Sequence, residues 1–244
     1  MPAPSPPRRS LVTGANRGLG LEFVRQLLAR GDHVIAACRH PGKATDLNRL
    51  AGDHPGRLHV LPLDVADEKS RSAFARELPL VADGIDLLVN NAGVLHSGER
   101  WGSVSDANLA DSLRTNAMGP FLLTQALAPQ LADARPGQSR PGATVANISS
   151  GMGSLGDDPD FHSPSYRISK AALNMATRML AKALETRAIP VIALCPGWVK
   201  TDMGGSSAQV TPPESVSALL QVIDAATMER SGGFFDRFGK PMPW

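Results

Sequence analysis

The chain holds one tyrosine, Tyr166, four residues before Lys170 in the run Tyr166-Arg167-Ile168-Ser169-Lys170. A Tyr and a Lys at that spacing share one helix face. A buried ammonium there lowers the phenol's pKa and readies it for proton transfer near neutral pH. Alone the pair says little, because a Lys four residues after a Tyr is common by chance. Two other features accompany it: the glycine-rich turn Thr13-Gly14-Ala15-Asn16-Arg17-Gly18-Leu19-Gly20 and the serines Ser149-Ser150 upstream of the tyrosine. A phosphate-type loop, a hydroxyl pair and a tuned phenol together read as a hydride-transfer enzyme.

Such residues need elements to position them. Short β-branched or aliphatic runs occur at Ser10–Thr13, His33–Ala37, Leu58–Leu61, Ile85–Asn90, Ala143–Ile148 and Pro190–Leu194, with a weak seventh at Gly233–Phe235. Helical patterns fall between them at Leu19–Arg30, Lys69–Leu78, Ala107–Leu131, Ser165–Thr186 and Pro213–Met228, with another helical stretch after Arg39. This alternation predicts an α/β fold, a Rossmann-type doubly wound, seven-stranded, mostly parallel sheet with helices on both faces. Its ligand crevice would lie at the carboxyl ends of the strands. Pro/Gly-rich breaks at Arg135–Gly142, Gly151–Pro164 and Gly204–Pro213 do not act as interdomain linkers, since the rhythm resumes after each. One domain over residues 10–244, behind a flexible Pro-rich tail at 1–9, is the expectation.

The glycine turn joins the first strand to the first helix. Its glycines let the backbone approach a pyrophosphate, which would rest on the helix N-terminus. The spacing is GxxxGxG rather than GxGxxG. After the second strand, Cys38-Arg39 offers no acid for a ribose 2′-hydroxyl, whereas Arg39 and Arg17 both suit a 2′-phosphate. That favours NADP(H) over NAD(H). Asp64-Val65 follows the third strand and Asn90-Asn91-Ala92-Gly93 ends the fourth. As isolated strings these could be a helix cap and a plain turn.

Taken together, TGxxxGxG, Asn90–Gly93, Asn116, Ile148-Ser149-Ser150, YxxxK and Pro196-Gly197 closely resemble the short-chain dehydrogenase/reductase family. The resemblance runs from about Leu11 onward. Pro196–Gly205 and Gly239–Trp244 look like the sniffer and C-factor branch, which is similar to carbonyl reductases. It implies NADP(H)-dependent hydride transfer between nicotinamide and a carbonyl or alcohol. The catalytic group it implies is Asn116, Ser150, Tyr166 and Lys170. Tyr166 would give its proton to the carbonyl oxygen, and Ser150 would bond the developing oxyanion. Lys170 would bind the nicotinamide ribose, and Asn116 would hold a water linking Lys170 to solvent. The family places the catalytic serine second in Ile-Ser-Ser, hence Ser150 before Ser149. The cofactor would be held by Gly14, Asn16, Arg17, Gly18, Leu19, Gly20, Arg39, Asp64, Val65, Asn91, Ala92, Gly93, Tyr166, Lys170, Pro196, Gly197, Val199 and Thr201. Sixteen positions separate Ser150 from Tyr166, somewhat more than many relatives show. The extra residues would form a substrate wall, in which Asp157, Asp158 and His162 read first as a solvated polar loop. Met203–Pro213 corresponds to a substrate lid, and its glycines and serines imply mobility. Helices Ala107–Leu131 and Ser165–Thr186 correspond to those through which relatives pair, implying a homodimer, or else a tetramer.

Composition narrows the field. With 25 basic against 23 acidic residues, scattered along the chain, nucleic acid is not an expected partner. No segment approaches the roughly 20 apolar residues that span a membrane. Arg8-Arg9 could open an export signal, but the following residues break any apolar core after three positions, so a cytoplasmic protein is expected. Cys38 and Cys195 sit in apolar strand-like runs and read as buried structural thiols. The six histidines lack metal-ligand spacing, and there is no GxSxG elbow. Two rivals stand beside the reductase: an NADP-binding signalling or redox-sensor protein of C-factor type, and a nucleotide-sugar epimerase. The epimerase wants a larger substrate domain than the chain after Lys170 provides.

Overall fold

The computed structural model describes residues 7–133, 142–156 and 161–244. Seven strands form one sheet: β1 (Arg9–Thr13), β2 (His33–Cys38), β3 (Leu58–Pro62), β4 (Leu87–Asn90), β5 (Thr144–Ile148), β6 (Val191–Cys195) and β7 (Phe234–Asp236). Their order is β3-β2-β1-β4-β5-β6-β7, and every neighbouring pair is parallel. The doubly wound sheet is as expected, and parallel throughout. The winding reverses between β1 and β4, the switch point at which such sheets bind ligands.

β4 and β5 are buried at every position, as strands covered on both faces must be. Alternate residues feed opposite cores. Val12, Val34 and Val89 pack with Phe23 and Leu27 of α1 (Gly18–Ala29) and with Leu219, Leu220 and Ile223 of α7 (Pro212–Asp224). Leu11, Ile35 and Leu88 pack on the other face with Phe74 of α3 (Glu68–Glu77), Leu123 of α5 (Gly119–Leu127) and Leu180 of α6 (Pro164–Leu184). Two short helices complete the set among the described residues, α2 (Thr45–Asp53) after Arg39 and α4 (Asp106–Leu113).

Several boundaries differ from expectation. The long helix expected over Ala107–Leu131 is three pieces: α4, a wide π turn at Arg114–Met118, and α5, followed by a tight turn at Ala128–Gln130. Pro120 has no N–H to return to the Asn116 carbonyl, so the ordinary i to i−4 bond cannot form there. The Gly119 N–H instead reaches back to the Arg114 carbonyl. β4 begins at Leu87 rather than Ile85, which forms a single bridge with Leu131. α7 stops at Asp224, short of Met228. Arg9, assigned to the tail, opens β1, where its guanidinium is paired with buried Asp86 at 3.0 Å. Residues 1–6 of that tail lie outside the described residues, as do Asp157 and Asp158. Among the described residues no helix is long and apolar enough to cross a membrane.

Candidate active site

The carboxyl ends of the strands open into one cavity of about 990 Å³. Its floor at one end is the turn from β1 to α1. Gly14 and Gly18 there adopt φ of 63° and 54°, a region in which other residues are strained. The turn is locked to the loop after β4. Thr13 Oγ1 accepts from the Asn91 and Ala92 amides at 3.0 and 3.1 Å, and Asn91 Nδ2 donates to the Thr13 carbonyl at 2.9 Å. A Cβ on Gly14 would fall 2.8 Å from Ala92 Cα, so the two loops touch backbone to backbone. α1 begins at Gly18 and presents its amino end to this space. A bare cradle of amides at a helix N-terminus fits a dinucleotide's pyrophosphate.

Of the residues expected to hold the cofactor, Asn16, Arg17, Leu19, Arg39, Asp64, Val65, Asn91, Ala92 and Gly93 all line the cavity. So do Pro196, Gly197, Val199 and Thr201 from the far side. Gly20 does not. It lies behind the turn, where a Cβ would sit 2.2 Å from the Gly14 carbonyl oxygen, so its role is close packing. Asp64 is not the cap of α3: that cap is Asp67, whose side chain accepts from the Ser70 amide at 2.7 Å. Arg17 reaches Asp202 of the Pro196–Pro213 segment at 3.1 Å, an exposed pair. Beside Arg39 stand His40 and Lys43, which sequence reasoning passed over. The signal for Lys43 was available: it is a second cation four residues beyond Arg39 after the same strand.

The chemical end is built by β5, β6 and α6. Ser150 follows β5 and lines the cavity with Tyr166, near enough to the phenol to favour its ionised form. The Ser150 hydroxyl oxygen accepts from the Met152 amide at 3.2 Å. Ser149 is committed elsewhere: buried, it donates to Asn174 Oδ1 at 2.6 Å. The two serines thus separate by geometry into a supporting hydroxyl and one facing the phenol. Lys170 is buried one turn along α6 from Tyr166 and donates to the Ile148 carbonyl at 2.7 Å.

The expected effect of Lys170 on the phenol is corrected. Its ammonium lies over the face of the Tyr166 ring, 5.5 Å from the centroid. Burial pushes the phenol up to about 12, only partly opposed by the Ser150 hydrogen bond. Burial also pulls Lys170 down to about 8. Desolvation is the larger cause at both groups.

Asn116 is fully buried in the π turn and does not line the cavity. Its Oδ1 accepts from the Val94 amide at 2.8 Å, while Nδ2 donates to the Val94 carbonyl at 2.8 Å and to Ser169 Oγ at 2.9 Å. Both amide hydrogens are used, and one acceptor site on Oδ1 remains.

Cys195 is also corrected. As the last residue of β6 it lines the cavity, and its sulfur accepts from the Gly151 amide at 3.2 Å. Cys38 lines the opposite end, four strands away, which at about 4.8 Å per strand excludes a disulfide. His162, read first as a solvated residue, lines the cavity with its ring 2.9 Å from the Arg167 guanidinium. Met152, Trp198 and Met203 supply apolar surface to the same cavity. The lid segment is tied by Lys200 N–H to Val210 O at 2.8 Å and by Trp198 Nε1–H to Gly204 O at 2.8 Å.

The family model described as short chain dehydrogenase matches residues 8–211. The chain belongs to the short-chain dehydrogenase/reductase family. Among curated relatives, the C-signal of Myxococcus xanthus is 45% identical over 163 residues, covering 66% of this chain and 93% of that protein. Among solved structures, the carbonyl reductase Sniffer of D. melanogaster is 35% identical with a TM-score of 0.92, covering 98% of this chain and all of that one. The NADPH-bound carbonyl reductase from chicken fatty liver is 40% identical with a TM-score of 0.90, covering 98% and 99%. The sniffer and C-factor branch expected from the motifs is therefore the one in which the chain sits.

Proposed function

We propose that this chain reduces the carbonyl group of a small molecule, with NADPH as hydride donor and Tyr166 as proton donor. The observation that carries the reading is that Ser150, Tyr166 and Lys170 share the wall of a cavity whose other end is a glycine-loop cradle. A carbonyl oxygen set between the Ser150 and Tyr166 hydroxyls would meet two donors held in place beforehand, an arrangement that stabilises developing negative charge. Ser150 holds the oxygen, and the Tyr166 proton passes to it. The raised phenol pKa keeps that proton in place across the neutral range. Bound in the cradle, the nicotinamide cofactor supplies the hydride. Arg17, Arg39 and Lys43, with no acid at the end of β2, favour a 2′-phosphate and hence NADP(H). The NADPH-bound chicken relative supports the same choice. Lys170, which lines the cavity, would bond the nicotinamide ribose, and the remaining Asn116 acceptor would take a relay water. Apolar Met152, Trp198 and Met203 with His162 form the substrate end.

The likeness to the Myxococcus C-signal favours a second reading, an NADP-binding signalling protein with little turnover. An intact Ser150–Tyr166–Lys170 set favours chemistry, since a sensor needs no acid over the nicotinamide. We propose a cytoplasmic protein and, from the apolar Ile168, Met175 and Met179 standing exposed along α6, a homodimer. NADPH oxidation against aldehydes, ketones and quinones tests the central reading, with Tyr166→Phe alongside. Turnover that drops at least 100-fold in the variant, with NADPH affinity kept, is expected. Tight NADPH binding with no turnover across the panel would favour signalling.

A further inference from the structure

We infer that Glu99 is a positioning residue for the proton donor, capping from a separate loop the helix that carries Tyr166. The inference rests on the reading of Tyr166 as that donor. α6 starts without a cap of its own. Ser163 precedes it at φ 48° and makes no side-chain bond to the helix, and Pro164 has no N–H. The first amide in need of an acceptor is therefore that of Ser165.

Glu99 supplies it from 66 residues away. One carboxyl oxygen accepts from the Ser165 amide at 3.1 Å, and the other accepts from the Ser165 hydroxyl at 2.6 Å. The second distance lies in the range of charge-assisted O–H···O bonds. Glu99 is 7% exposed and Ser165 is fully buried. A buried acid is costly unless its oxygens are bonded, and a helix amino end is where its charge is most stabilised. Tyr166 is the next residue.

The same loop grips α6 a second time. Asn116 clamps Val94 of that loop to Ser169, whose hydroxyl in turn donates to the Tyr166 carbonyl at 2.7 Å. Tyr166 is thus bracketed, at Ser165 by Glu99 and at Ser169 by Asn116. The bracketing loop also carries Val94 and Leu95 into the cavity wall, so phenol and substrate wall are held as one unit. Removing Glu99 frees the first turn of α6, and with it the direction of the phenol. Displacement of a catalytic group by about 1 Å can cost about 100-fold in rate.

The test compares Glu99→Ala, Glu99→Gln, Ser165→Ala and Tyr166→Phe by kcat, KM, NADPH affinity and solvent deuterium isotope effect on carbonyl reduction. Glutamine keeps an acceptor for the amide and a donor for the hydroxyl. Expected are a fall in kcat of about 10- to 100-fold in Glu99→Ala with KM and NADPH affinity within about threefold. The isotope effect should rise, because proton transfer from a misdirected phenol limits turnover. Glu99→Gln should recover most of kcat, and Ser165→Ala, which loses one arm, should fall between. Native kcat in Glu99→Ala would overturn the inference. So would equal losses in the alanine and glutamine variants, which point to charge rather than placement, or NADPH affinity lost in step with kcat, which points to packing. Native turnover in Tyr166→Phe would instead refute the donor assignment itself.

Discussion

Tyr166 offers an unusually direct reading of its own environment, because no other tyrosine absorbs in this chain. Burial lifts its phenol to about 12, so the folded protein should show no phenolate absorbance until well above the ordinary 10. Between those values the unfolded chain loses its proton and the folded one keeps it, so stability falls as pH rises through that window. Ultraviolet titration of the folded protein checks this, and a midpoint at or below 10 would contradict it. A donor held protonated suits reduction better than alcohol oxidation, which needs a phenolate. At the other end of the cavity, Arg39→Asp should weaken NADPH by at least tenfold more than NADH, as measured by fluorescence titration. An unchanged preference would remove the 2′-phosphate from the account. Spacing made the Tyr166–Lys170 pair legible, but the direction of the phenol's shift is a property of burial that no spacing encodes. The family pattern alone favoured Ser150 over Ser149; the physical reason, Asn174 taking up the Ser149 hydroxyl, is visible only in the fold.

At the scale of elements, α6 and the turn after β5 form one unit. Gly153 lies against the helix at Lys170, where a Cβ would come within 2.7 Å of the Lys170 carbonyl carbon. Gly153→Ala should push the Ser150–Gly153 turn off the helix and lower kcat by about tenfold or more, while NADPH affinity holds. Steady-state rates with fluorescence binding check it, and a native kcat would show that the turn yields without moving Ser150. Strands and most helices were readable because apolar runs and helical periodicity differ in repeat. The break at Asn116 was not, since Gly119-Pro120 falls within a continuous helical pattern and the wide turn is a local backbone adjustment. Glu99 was likewise invisible, because a cap delivered from 66 residues away leaves no local motif.

Over the whole molecule, the sheet brings the glycine turn, Arg39, the Asn91 loop, Ser150 and the α6 pair to one edge from points far apart in the chain. That convergence follows from parallel winding, which puts every strand's carboxyl end on the same side. Away from the cavity, half-exposed Ile168, Met175 and Met179 form the stripe assigned to pairing. Met175→Glu with Met179→Glu should convert a dimer to a monomer in light scattering, and a native protein already monomeric would contradict the assignment. The central claim is hydride transfer to carbon with the proton from Tyr166. The most direct measurement follows deuterium from NADPH labelled at the nicotinamide into the alcohol product, in native protein and Tyr166→Phe. Label at the carbinol carbon, formed at least 100-fold more slowly by the variant, is the predicted result. Product without label, or label delivered at the native rate by Tyr166→Phe, would contradict it.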